Sequence, residues 1–223
     1  MGNVFSENTE KALIAAKTNA YLHKITDYDH YETIHRYEMM CDNLDCLIYK
    51  PTRNELADIS NAVNACRSLI HLNLSKLRLN DDDFTFFIRR LKPEKVSFKR
   101  LTLSENELSD ESATELCNFM NVNRTLTNVD LSYNKITDMG LAELGVFILS
   151  KDIVLKSINL DCNRYTATGT TDFLRGMFYN EKITFLSIKT FDKAQVAYRD
   201  MFISRNNSLK AARLKQHHYR YWL

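Results

Sequence analysis

The chain has 223 residues, 44% of them hydrophobic, and a formal net charge of +2 at pH 7. That is enough apolar material for one large domain or an elongated array, and too little charge to point to nucleic acid. Its longest apolar stretches, such as LAELGVFIL, are too short and too interrupted for a membrane span.

At the start, MGNVFS fits the acylation pattern M-G-x-x-x-[ST], with Gly2 as acceptor and Ser6 at the required position. One myristoyl chain gives only marginal membrane affinity, about 10⁴ M⁻¹, and Glu7 and Glu10 supply no second signal. Membrane contact is therefore expected only if Gly2 is acylated. MGNVFSENTEKAL lacks a basic start followed by an apolar run, so no export signal is expected. The five cysteines include no CxxC pair, which predicts reduced thiols and a cytoplasmic setting. TEKALIAAKTNAYLHKI is Ala-rich and helix-prone, and residues 1–40 are expected to form a helical cap.

From residue 41 onward one pattern recurs. In LTNVDLSYNKI the apolar residues Leu126, Val129, Leu131 and Ile136 are interrupted by Asn134. The same template falls on Phe98, Leu101, Leu103, Asn106 and Leu108, and again on Leu155, Ile158, Leu160, Asn163 and Tyr165. Leu69, Leu72, Leu74 and Leu79 keep it with Leu77 at the Asn position; Ile183, Leu186 and Ile188 keep it with Phe191 there. Starts at 69, 98, 126, 155 and 183 give gaps of 29, 28, 29 and 28 residues, a register that marks a stacked repeat array. Weaker units are expected at both ends. Cys41, Leu44, Cys46 and Tyr49 precede a helix carrying Leu56, Ile59 and Val63. NNSLKAARL echoes NRTLTNVDL, which predicts a last strand through Leu209, Ala212 and Leu214, with Leu209, Leu214 and Trp222 closing the array. Residues 41–223 thus read as one solenoid with degenerate first and last repeats.

After each strand a helical stripe is predicted at i, i+3, i+4 and i+7: Phe84, Phe87, Ile88, Leu91; Ala113, Leu116, Cys117, Met120; Leu141, Leu144, Gly145, Ile148; Thr170, Phe173, Leu174, Met177. Asp110 and Asp138 are expected as N-caps. Each strand–turn–helix unit buries its apolar side only by stacking on its neighbours. The asparagine then has a physical role: a buried turn leaves backbone groups without ladder partners, and a carboxamide both donates and accepts. A structural ladder of Asn106, Asn134 and Asn163 is predicted, ending where Leu77 and Phe191 cannot serve.

These residues resemble the leucine-rich repeat family, in particular its ribonuclease-inhibitor-like class. The resemblance implies an α/β solenoid with a concave parallel sheet, convex helices and a protein partner. With the template residues inward, the outward columns are His71, Arg100, Asn128, Ser157, Phe185; then Asn73, Thr102, Asp130, Asn159, Ser187; then Ser75, Ser104, Ser132, Asp161, Lys189. Lys76, Glu105, Tyr133 and Cys162 line the strand ends. The partner-binding set expected here is His71, Asn73, Arg100, Thr102, Glu105, Asn128, Asp130, Tyr133, Asn159, Asp161, Phe185 and Lys189, with Arg213 at the C-terminal rim. Tyr133, Phe185 and Arg100 lead it, because aromatic and Arg side chains dominate binding hot spots.

Six scattered histidines and the lack of a Gly-rich phosphate loop give no catalytic constellation. No enzyme activity, cofactor, metal, nucleic acid or small-molecule substrate is expected. The inhibitor-like resemblance implies a partner enzyme whose active site is covered. A weaker, compositional resemblance is to secreted effectors of intracellular bacteria, which would place the protein in a host cytoplasm. The alternatives are a GTPase activator on the same repeats, using Arg78, Arg100 or Arg164, and a membrane-anchored scaffold.

Overall fold

The computed structural model describes residues 50–65, 69–150 and 152–219. Gly2, the cap over residues 1–40, the degenerate first strand at 41–49 and Trp222 lie outside them. In chain order the elements are α1 (Arg53–Ala65), β1 (His71–Asn73), α2 (Asp81–Ile88), β2 (Arg100–Thr102), α3 (Asp110–Val122), β3 (Asn128–Asp130), α4 (Asp138–Ile148), β4 (Ser157–Asn159), α5 (Ala167–Tyr179), β5 (Phe185–Ser187) and α6 (Lys193–Tyr219).

The strands form one parallel sheet in the order β1-β2-β3-β4-β5. Leu72, Leu101, Val129, Ile158 and Leu186 stand in register across it. All five point into the core, as do the template residues Leu131 and Leu160, at 0% exposure. The helical stripes close the core from the other side, with Phe84, Leu116, Leu144 and Phe173 buried. Strands sit roughly 4.8 Å apart and packed helices about 8–10 Å apart. A stack with one of each per repeat must therefore curve with its sheet inside, which makes the outward sheet face concave.

The asparagines tie successive turns together. Asn134 Nδ2 donates to Leu131 O and Ser132 O of its own turn and to Leu103 O of the preceding one, while its Oδ1 accepts from Leu108 N. Asn106 and Asn163 do the same one repeat earlier and later. Phe191 cannot continue the series. Instead the Tyr165 hydroxyl donates to Leu160 O and accepts from Lys189 N, both at 2.9 Å.

The expected N-caps are corrected. Ser109, Thr137 and Thr166 occupy the cap positions, and Asp110 and Asp138 are the first helical residues. Their carboxylates reach sideways, to the cap of the next helix. Asp81 receives Ser109 N and Oγ, Asp110 receives Thr137 N and Oγ1, and Asp138 receives Thr166 N and Oγ1, all at 2.6–2.8 Å. This second ladder needs room: a Cβ on Gly140 would lie 2.5 Å from Asp110 Oδ1, and one on Gly169 would collide with the Asp138 carboxylate.

The predicted last strand is also corrected. Leu209, Ala212 and Leu214 lie in α6, and Leu214 is exposed. The echo holds only for the asparagine. Asn123 Nδ2 donates to Pro93 O and Val96 O, and Asn206 Nδ2 likewise donates to Asn180 O and Ile183 O one repeat back. The segment after Asn206 is rich in Leu, Lys, Ala and Arg without Gly or Pro, so the chain stays helical. Phe202 and Asn206 cover the end of the core instead. Arg205 caps α5 by donating to Met177 O, Phe178 O and Asn180 O.

Replacing Asn134 with Ala strands several buried donors and acceptors and should cost about 2–4 kcal/mol, read from urea unfolding. Gly140→Ala, favourable by helix propensity alone, should instead lower stability by about 1–3 kcal/mol, because its Cβ overlaps Asp110 and Ile136.

Candidate concave binding face

Two backbone devices shape the outward face. Where each strand begins, one carbonyl accepts two successive amides of the next repeat. Ile70 O takes Lys99 N and Arg100 N; Lys99 O takes Thr127 N and Asn128 N; Thr127 O takes Lys156 N and Ser157 N; Lys156 O takes Thr184 N and Phe185 N, at 2.8–3.1 Å. This bulge-like junction turns both residues of each pair away from the core. Strand alternation accounts for Arg100 but not for Lys99, and both are exposed. A strict period of two therefore misses Lys99 and Lys156. Their signal in the sequence is the pair of polar residues between apolar template positions.

Where each strand ends, the backbone turns left-handed at non-glycine residues: Lys76 (φ 60), Glu105 (φ 56), Tyr133 (φ 56) and Cys162 (φ 57). Such positions cost about 1–2 kcal/mol. They persist because the amide is fixed by the neighbouring repeat: Lys76 N, Glu105 N and Tyr133 N donate to Ser104 O, Ser132 O and Asp161 O. The side chains consequently stand at the rim. Tyr133 is 59% exposed and lies against the exposed Cys162 thiol, whose hydrogen bond raises the phenol above its usual range.

Between these edges much of the predicted set is already engaged. Asn73 Oδ1 accepts from Ser75 N and Oγ, Asp130 Oδ1 from Ser132 N and Oγ, and Asn159 Oδ1 from Asp161 N. These close the turns at the strand ends. Thr102 Oγ1 pairs with His71 Nε2 at 2.8 Å, Asn128 Oδ1 accepts from Thr127 Oγ1, and Asp161 accepts from Ser187 Oγ. Glu105 faces Lys76 at 3.6 Å, and the Lys189 ammonium lies 4.6 Å from the Phe191 ring centre. Arg213 is corrected off the sheet: it sits on α6 and pairs with Glu181 at 2.6 Å. Arg100, Tyr133 and Phe185 (55% exposed) keep exposed side chains on this face. Arg100 and Phe185 are three strands apart, about 14 Å.

Among the described residues no cluster of His, Cys, Asp and Glu could hold a metal ion, and no helix is long and apolar enough to cross a membrane. The Cys117 thiol is pushed up to about 12, first by burial and then by Glu143, which marks it as a core residue.

Among protein families, the model described as Leucine Rich repeat matches residues 122–145. The mouse protein "NACHT, LRR and PYD domains-containing protein 14" is 25% identical over 178 residues, covering 74% of this chain and 18% of that protein. Its human counterpart is 28% identical over 131 residues, covering 59% of this chain and 12% of that protein. The chain thus matches less than a fifth of the length of these relatives. Among solved structures, leiomodin-1 actin-binding site 2 superposes with a TM-score of 0.65 at 14% identity, covering 76% of this chain and 98% of that one. The tropomodulin C-terminal domain of Caenorhabditis elegans gives 0.57 at 14% identity, covering 75% and 99%.

His71 carries a pH prediction. Burial, and then the positive Arg100, lower it from 6.5 to about 4. The unfolded chain then takes the proton first, so this stabilisation is complete above pH 6.5 and lost as pH falls from 6.5 towards 4. The slope approaches about 1.4 kcal/mol per pH unit. Urea unfolding across that range should show it, and His71→Gln should flatten it.

Proposed function

We propose that this leucine-rich repeat protein is a non-catalytic protein-binding module that holds a partner against its concave sheet. The observation that carries the reading is the division of labour on that face. The second outward column is largely spent on turn closure, whereas Tyr133 and Phe185 are held out in water by backbone geometry set by neighbouring repeats. Large exposed aromatics on a rigid, preformed surface lose little entropy on binding and are typical anchors of protein interfaces. A stable complex needs roughly 800 Å² per partner, an area for which a five-stranded face and its rims provide room. The repeat architecture and its relatives support binding of a protein and leave the partner open.

The finer reading places the chain in the ribonuclease-inhibitor-like class, with a helix in every repeat and alternating 28- and 29-residue periods as its support. On that reading one form of action is inhibition, with the rim carrying Tyr133 laid across the mouth of an enzyme's active site.

The test is affinity purification of the intact chain, mass spectrometry of what it retains, and titration of the purified partner. Tyr133→Ala with Phe185→Ala should weaken that partner at least about 100-fold, as two hot-spot truncations do, and leave the melting temperature nearly unchanged. Unfolding of the double variant, or unchanged affinity, would remove the concave face from consideration.

A further inference from the structure

The ten outward positions at the strand entrances are Ile70/His71, Lys99/Arg100, Thr127/Asn128, Lys156/Ser157 and Thr184/Phe185. They contain three cations and no carboxylate. Among the described residues Lys99, Arg100 and Lys156 have no acidic partner, and on the same face only Lys189, beyond the end of β5 and against the Phe191 ring, shares that condition; Lys76, Arg78, Arg89, Lys135 and Arg213 are each paired with a glutamate. Arg100 aligns with Asn128 and Ser157 across the sheet, which puts the Lys156 backbone about 10 Å from that of Arg100. The carboxylates of the same face stand at the opposite edge: Glu105 faces Lys76, Asp130 is held by Ser132 and Asp161 by Ser187. The concave face therefore has an entrance edge whose ions are all cations and an exit edge where the carboxylates of Glu105, Asp130 and Asp161 outnumber the cations Lys76 and Lys189. Exposed Ile70 and Phe185 flank the positive edge at either end.

We infer that the strand-entrance edge receives an acidic segment of the protein partner, rich in Asp or Glu, with Arg100 at its centre and Ile70 and Phe185 as apolar end stops. This rests on the protein-binding reading above and names the chemistry of the partner there. Unpaired surface cations attract and orient an anionic chain, and the exit edge, where three carboxylates face two cations, attracts it less, so the asymmetry also sets its placement. An Arg fork binds a carboxylate through two parallel hydrogen bonds. Nucleic acid fits less well: the three cations cover a short span, and the exposed aromatics Phe185 and Tyr133 sit at opposite edges instead of forming a stacking row.

The probe is a fluorescein-labelled peptide of alternating glutamate and alanine, titrated by anisotropy against the whole chain at about 50 mM salt, where screening is weak. A lysine–alanine peptide and a short oligothymidylate are the controls. Reversal of the entrance charges by Lys99→Glu, Arg100→Glu and Lys156→Glu should weaken the glutamate peptide about ten-fold or more, each lost charge contact being worth a fraction of a decade to a decade. Arg100→Glu alone should account for a measurable part, should the triple variant fail to fold by circular dichroism. The charge-matched control Lys193→Glu, Lys210→Glu and Arg53→Glu should bind as the wild type does. Equal loss in both triple variants, no binding by the wild type, or tighter binding of oligothymidylate would overturn the inference. A wild-type chain that ignores the glutamate peptide yet loses its purified partner on truncation of Tyr133 and Phe185 would overturn the acidic segment alone and leave the protein-binding reading standing.

Discussion

A buried peptide group without a hydrogen-bond partner costs as much as a lost side-chain contact, and each repeat buries several of them where its strand ends. The carboxamides of Asn106, Asn134 and Asn163 meet that need by serving two turns at once. This one arrangement has wide consequences. It locks the spacing of successive strands and holds the leucines of neighbouring repeats in register, beside a left-handed turn whose amide the next repeat accepts. That turn is what lifts Tyr133 to the rim.

On the helical side a similar need is met by a different group. The cap hydroxyls of Ser109, Thr137 and Thr166 and their amides bind the first-turn aspartate of the helix before. Hydrogen bonds from Thr166 hold the Asp138 carboxyl below its usual range; for Asp81, burial works the other way and the bonds from Ser109 and Ser112 prevail. A negative charge beside a helix N-terminus is favourable in itself, so each aspartate acts on its own helix and on the next. Sheet and helix layers are thus cross-linked between repeats by two unrelated polar ladders around a shared apolar core.

Where the repeats stop, the exposed end must be covered by something that makes the same bonds. At the C-terminal end Tyr165, Arg205 and Asn206 do so from a hydroxyl, a guanidinium and a helix-borne carboxamide. The interior repeats spend their polar side chains on one another, which leaves few for the solvent face. Those few, the rim aromatics and the entrance cations, are where the functional reading concentrates.

The sequence by itself determined the periodic part. Apolar positions, helical stripes, the identity and order of the five strands, and the two repeats lacking asparagine all follow from side-chain period and hydrogen-bonding capacity, which are local properties. Only the tertiary structure decided features whose partners lie a full repeat away. The aspartates expected as caps are cross-repeat acceptors because their reach is lateral. Leu209–Leu214 is helix, not strand, because Asn206 can satisfy the preceding turn from either conformation and the residues after it favour helix. Asp130 and Asn159 are turn-closing residues because the amides two positions on fold back onto their side chains at the strand exits. Lys99 and Lys156 are exposed because a doubly accepting carbonyl at each strand entrance sets which side chains leave the core. No one-dimensional period encodes that choice, since it depends on which neighbour's amides each carbonyl meets.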